Sequence, residues 1–282
     1  FHYSTFTGQL HSVKVDSVGR FKRFIGGKKF TYLSKNKRFI VSVGDLIIYT
    51  GINRSIELFY LNPLVPTFFA SLEEETDYYS WDGVDNDNAM IMFEGRYVFE
   101  NKLSVFSELL IDDFQITISN RDTVPDAYGF KFGIDGPLSL FDKNFTFEIE
   151  YTRIFGNTYI TRGWFTNWED RNIPIGYQYG TDCQSFFISI DSWLMKEILF
   201  SINFTYLEKG SLNLKSKYNQ YRDAEAPFPT EPVKYHNYFS PSISWYSNYG
   251  ILETGWNGDY NELKESSFYL KLQLLIDFSF DL

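Results

Sequence analysis

The segment Trp164-Phe165-Thr166-Asn167-Trp168-Glu169-Asp170-Arg171-Asn172 sets flat rings beside amides, carboxylates and a guanidinium. Carbohydrate recognition uses that mixture: the C–H faces of a sugar pack on rings, and its hydroxyls exchange hydrogen bonds with Asn, Asp, Glu and Arg. Trp164, Trp168, Asp170 and Arg171 are therefore candidate ligand-binding residues. An interfacial aromatic belt beside a solvated loop has the same composition. Trp81, followed by Asp82, Asp85, Asn86, Asp87 and Asn88, is a second candidate of this kind. Its oxygens would also suit a hard cation, but the spacing matches no standard calcium loop and a solvated acidic turn accounts for it, so no metal site is assigned. Asp112 and Asp113 are neighbours that a strand would point to opposite faces, and a two-carboxylate hydrolytic pair is a spatial relation that adjacency does not supply. His2, His11 and His236 form no i, i+4 pair, and no Ser or Cys elbow accompanies them. Gly26-Gly27-Lys28-Lys29 lacks the rest of a phosphate loop and reads as a turn. Cys183 reads as a buried or lipid-facing thiol. With no catalytic residue and no cofactor assigned, the expectation is a protein that is not an enzyme.

These residues need a scaffold, and composition narrows it. The chain has 282 residues, with 26 Lys and Arg against 36 Asp and Glu, a formal charge of −10. A pI near 4.9 argues against nucleic acid as the partner, because phosphate binding needs a basic surface. One cysteine excludes a disulfide framework and a multi-cysteine zinc site. Aromatic residues make up 20 % of the chain, which is incompatible with disorder. No stretch approaches the roughly 18–20 uninterrupted apolar residues of a membrane helix. The start at Phe1-His2-Tyr3 suggests a removed signal peptide or a segment of a longer gene product. No Ser/Gly-rich linker divides the sequence, so residues 1–282 are expected to form one domain.

Helical periodicity is almost absent, and alternation of apolar and polar residues recurs throughout. At the C-terminus Phe268, Leu270, Leu272, Leu274, Ile276, Phe278, Phe280 and Leu282 alternate with mostly polar residues, among them Lys271, Gln273 and Asp277. Phe145, Phe147, Ile149 and Tyr151 alternate with Glu148 and Glu150, and Ile198 to Tyr206 alternates in the same way. About twelve such strands are predicted, each near the ten-residue length of barrel strands. Long connections at 50–86, 156–182 and 208–235 contrast with brief links at Glu100-Asn101-Lys102 and Asn248-Tyr249-Gly250. A soluble β-sandwich would share the alternation. Charged wet faces and Phe-, Tyr- and Leu-rich oily faces favour instead an all-β, antiparallel transmembrane barrel of about twelve or more strands with long extracellular loops. Its lumen should be lined by Glu94, Arg96, Glu108, Glu148 and Glu150.

A family resemblance supports that scaffold. Arg38-Phe39, Gly44-Asp45-Leu46-Ile47-Ile48-Tyr49, Glu57-Leu58-Phe59-Tyr60-Leu61-Asn62-Pro63, Asp85-Asn86-Asp87-Asn88-Ala89 and Ser107-Glu108-Leu109-Leu110-Ile111-Asp112-Asp113-Phe114 together resemble, in that order, the capsule assembly Wzi family. Asn172-Ile173-Pro174-Ile175-Gly176-Tyr177 with Gly180-Thr181-Asp182 is similar to a segment of that family, except that Tyr177 stands where His is expected and Thr181 where Pro is expected. The likeness covers about residues 36–190, and no single motif in it is specific. The resemblance implies a bacterial outer-membrane β-barrel that attaches capsular or other exopolysaccharide to the cell in lectin-like fashion, without turnover. It also implies an N-terminally shortened copy or a smaller relative.

The sequence supports two main functional expectations, with an outer-membrane hydrolase using the carboxylates a weaker third. The first is polysaccharide binding through the loops, with outer-membrane lipid around the barrel; Arg153, Arg162, Arg171, Arg222 and Lys209 would supply local positive charge toward acidic glycans. The alternative is a porin-like channel for small polar solutes or saccharides, its selectivity set by the charged wet faces.

Overall fold

The computed structural model describes residues 1–15, 19–52, 54–63, 87–113, 127–140, 143–161, 163–216, 227–259 and 266–274. Twelve long strands form one antiparallel sheet: β1 (His2–Val15), β2 (Gly19–Leu33), β3 (Phe39–Gly51), β4 (Asp87–Val98), β5 (Ser104–Asp113), β6 (Ala127–Leu140), β7 (Lys143–Ile154), β10 (Cys183–Met195), β11 (Ile198–Lys209), β12 (Lys234–Ser247), β13 (Gly250–Asp259) and β14 (Ser267–Leu274). Between β7 and β10 the chain leaves the sheet to make a small hairpin, β8 (Glu169–Asp170) and β9 (Ile173–Pro174). Sheet neighbours otherwise follow chain order, so every long pairing is an up-and-down step. Among the described residues no ladder joins β14 to β1, and the sheet is open at that seam. Gly26 and Gly27 lie inside β2, not at a turn: a Cβ on Gly27 would come within 2.5 Å of the Phe6 ring, and one on Gly26 would touch Ile47 and Tyr60. Here glycine serves close packing across the sheet.

Ladder register sorts the side chains into two faces. Phe30, Val43, Phe93 and Leu109 lie opposite one another across four strands, as do Ile188, Phe204 and Phe239 farther along. On the last strand Phe268, Leu270, Leu272 and Leu274 share this face, and Leu272 pairs with Leu252. All of these except the half-buried Ile188 and Phe204 are exposed, up to 86 % at Phe268. The opposite face carries Lys29, Glu94, Arg96, Glu108, Lys131, Asp135, Glu148, Glu150, Ser185 and Lys271. An apolar outside and a polar inside is the pattern of a membrane barrel; a soluble barrel reverses it.

Connections are also sorted by end. β2–β3, β4–β5, β10–β11 and β12–β13 join through short turns at one end, whereas 52–86, 155–182 and 210–233 are long and leave from the other. The segment after β3 forms a 3-10 turn, Leu58–Leu61, that packs on the apolar face. There Tyr60 joins Phe24, Ile47, Tyr49 and Ala89 in a buried cluster. This cover shields a charge pair that the apolar face could not otherwise carry. Lys28 Nζ lies 3.5 Å from Asp45 and donates to the Asn62 carbonyl. Arg54 bridges Glu57 and Asp87 beside it, and Tyr60 donates to Asp87. Burial works against the Arg54 charge, but the hydrogen bonds to Glu57 and Asp87 overcome it and hold its pKa above the ordinary arginine value. Tyr60-Leu61-Asn62-Pro63 therefore stands outside the sheet's interior.

Candidate functional site

The connection 155–182 folds inward onto the polar face. Thr158 Oγ1 and the Phe155 N–H donate to the Tyr128 carbonyl on β6. Asp112 on β5 accepts the Tyr159 N–H at 2.5 Å, and Asn88 on β4 donates to the Thr166 carbonyl. Arg23 on β2 donates to the carbonyls of Asn167 and Glu169 at 2.8 and 2.9 Å, while Phe165 packs on Phe21. Asp170 accepts the His11 N–H on β1, and the Tyr177 hydroxyl meets Ser185 on β10. Tyr179 stacks on Tyr238 of β12. Laid flat, twelve strands would be about 50 Å wide. One short segment touching β1, β2, β4, β5, β10 and β12 requires the sheet to curl around it, and the segment plugs the space enclosed.

Local conformation shapes the plug. Arg171 and Asn172, both at positive φ, turn β8 into β9 as a tight two-residue hairpin. Gly176, at φ +121°, leaves room for the Tyr159 ring, which would lie 3.0 Å from any Cβ there. The two departures from the family pattern both have contacts. The Tyr177 hydroxyl lies 2.5 Å from Ser185 Oγ, and the Thr181 hydroxyl lies 2.6 Å from the Phe155 carbonyl and 2.8 Å from that of Gly156. Proline at 181 would have no hydroxyl to offer. Burial pushes the Tyr159 and Tyr177 phenols above the ordinary tyrosine range. Asp182, fully buried, accepts from the backbone N–H groups of Leu212 and Thr230 and ties the plug to the connection 210–233.

The structure distributes the sequence-predicted ligand residues unevenly. Trp168 is 1 % exposed and packs with Ile48, Met90, Ile154 and Tyr159. It is a core residue of the plug, because the curled sheet supplies it with apolar walls; its ring presents no stacking face to solvent. Asp170 is half-buried on β1, while Arg171 projects from the hairpin tip. Trp164 belongs to the 3-10 turn Trp164–Thr166, and its side chain lies outside the described residues, as do Trp81 and most of the acidic turn after it. Of the proposed basic surface, Arg153 lies over the Phe155 and Phe228 rings, which pack on each other, and Lys209 donates to the Thr181 and Leu212 carbonyls; Arg162 and Arg222 lie outside the described residues. Cys183 is a buried free thiol.

Below the plug, Glu94, Arg96, Glu108, Glu148 and Glu150 line a single cavity of about 280 Å³ with Lys131 and Ser42. Cations one or two strands away partner most of these carboxylates. Lys29 pairs with Glu94, Arg96 with Asp135 at 2.7 Å, and Lys131 with Glu108 and Glu150 at 3.5 and 3.4 Å. Arg96 also lies over the Phe106 ring and donates to Ser104, which donates to Asp135. Among the described residues no group of three or more His, Cys, Asp or Glu is placed to hold a metal ion. Sequence reading missed Arg23, Tyr159 and Tyr177 as plug anchors. Their roles depend on strands far away in sequence, and alternation marks only which face Arg23 occupies.

No family model and no curated protein matches this sequence. Among solved structures the chain is similar to Wzi, described as an outer-membrane protein involved in group 1 capsule assembly in Escherichia coli and a carbohydrate-binding β-barrel. The TM-score is 0.54 at 12 % identity, over 93 % of this chain and 56 % of that one, so the chain spans little more than half of that neighbour's length. At that identity the likeness is one of fold: an all-β, up-and-down antiparallel sheet of barrel type.

Proposed function

We propose that this protein is a bacterial outer-membrane β-barrel that binds capsular or exopolysaccharide at the cell surface and does not turn it over. The observation that carries the reading is the division of the sheet into an exposed apolar face and a plugged, charged interior. That pattern suits a lipid surround on one side, on a fold shared with a carbohydrate-binding barrel. The pairing of interior carboxylates with Lys29, Arg96 and Lys131 supports a structural and binding role for them over acid–base work. The plug weighs against free solute passage and therefore against the porin-like alternative.

Within this reading the glycan meets the loop end of the barrel. Arg171 and Asn172 stand exposed at the hairpin tip, where a guanidinium can donate paired hydrogen bonds to sugar hydroxyl oxygens or a uronate carboxylate, and an amide can donate to or accept from sugar hydroxyls. Trp164 and Trp81 are the proposed stacking residues. The test is cell-surface retention of polysaccharide by Arg171→Ala and Trp164→Ala variants whose assembly has been verified by heat-modifiable mobility. Reduced retention supports the reading. Normal retention by both variants, together with absence of glycan binding to the purified protein, would overturn it.

A further inference from the structure

Two cavities of opposite character meet inside the barrel. The charged one described above lies toward the short-turn end. The other, about 320 Å³, lies between the plug and the wall and is lined mainly by Leu46, Met90, Met92, Leu110, Ile154 and the Tyr159 ring. Glu108 and Lys131 line both, so the Glu108–Lys131 pair marks the boundary where apolar surface gives way to charge.

We propose that the two cavities form one binding site for a single amphipathic molecule, with an aliphatic tail under the plug and an uncharged or cationic polar head among the carboxylates. Three observations carry it. The apolar cavity alone is in the size range of small-ligand pockets, and the pair together is about twice that. Its walls are mostly apolar, so water fills it poorly, while two methionines can adapt to an alkyl chain. Finally, the polar cavity sets Glu94, Glu108, Glu148 and Glu150 against Arg96 and Lys131, which disfavours an anionic head. The chemistry specified is that of an alkyl glycoside. This site is separate from the loop tips and does not depend on polysaccharide binding there.

The experiment uses the assembled protein in lipid nanodiscs, titrated with octyl β-glucoside below its micellar concentration, with empty nanodiscs as the blank. Equilibrium dialysis should show saturable uptake near one molecule per protein. Methyl β-glucoside, which has the head without the tail, should not bind over the same range, and octyl sulfate should bind more weakly than the glucoside. Met92→Trp fills the apolar cavity and should weaken uptake about tenfold or more; Leu110→Phe is the second filling variant should the first fail to assemble. Uptake no greater than that of empty nanodiscs would overturn the proposal. So would unchanged affinity in an assembled filling variant, or octyl sulfate binding as well as the glucoside.

Discussion

Replacing Arg23 by Met should unlatch the plug. Arg23 is 3 % exposed and reaches from β2 to the carbonyls of Asn167 and Glu169, one on each side of Trp168. A hydrogen bond from a charged donor contributes about 1.5–3 kcal/mol, so two would stabilise the docked plug by about 3–6 kcal/mol before correction. Part of that is offset, because the guanidinium is desolvated and its Nε has no partner among the described residues. A net loss of about 3 kcal/mol is the reasonable expectation, and it raises the undocked population on the order of 100-fold. Methionine keeps the apolar stem against the sheet, so assembly should survive. In planar bilayers the variant should show frequent transient conductance where the parent stays closed, and amides of 155–182 should exchange faster with solvent. Parent-like conductance and exchange in a well-assembled variant would refute the assignment of Arg23 as the latch.

Three further outcomes are expected. Leu272→Arg, on the apolar face, should destabilise the barrel by about 2–4 kcal/mol if it sits near the bilayer midplane, whereas Gln273→Arg, on the polar face, should cost little; equal effects in an assembly assay would contradict the face assignment. Trp168→Ala should destabilise the plug by about 3–5 kcal/mol through the cavity it leaves, seen as protease sensitivity of 155–182, while Arg171→Ala leaves thermal stability unchanged and lowers only glycan retention. Asp182→Ala removes the acceptor of the partly buried N–H groups of Leu212 and Thr230 at about 1 kcal/mol each, and limited proteolysis should then cut within 210–233 before any strand opens.

The sequence by itself determined the strands and their faces. Alternation is a property of neighbours two residues apart, so Phe93 against Glu94, or Leu272 against Gln273, could be assigned to opposite sides with no knowledge of partners. The contrast between long and short connections was legible for the same local reason. Only the tertiary structure decided where the long connections go. The sequence offers Trp168 as a stacking face, but it is buried, because Ile48, Met90 and Ile154 from β3, β4 and β7 close around it. Tyr60 packs on the outer face, because Phe24, Ile47 and Ala89 gather there and the Lys28–Asp45 pair needs cover. The charge partners Lys29–Glu94 and Lys131–Glu150, and the cavities they flank, likewise follow from register between strands. Burial of a loop depends on the curl of the whole sheet, a sum over many pairings that no short window of sequence contains.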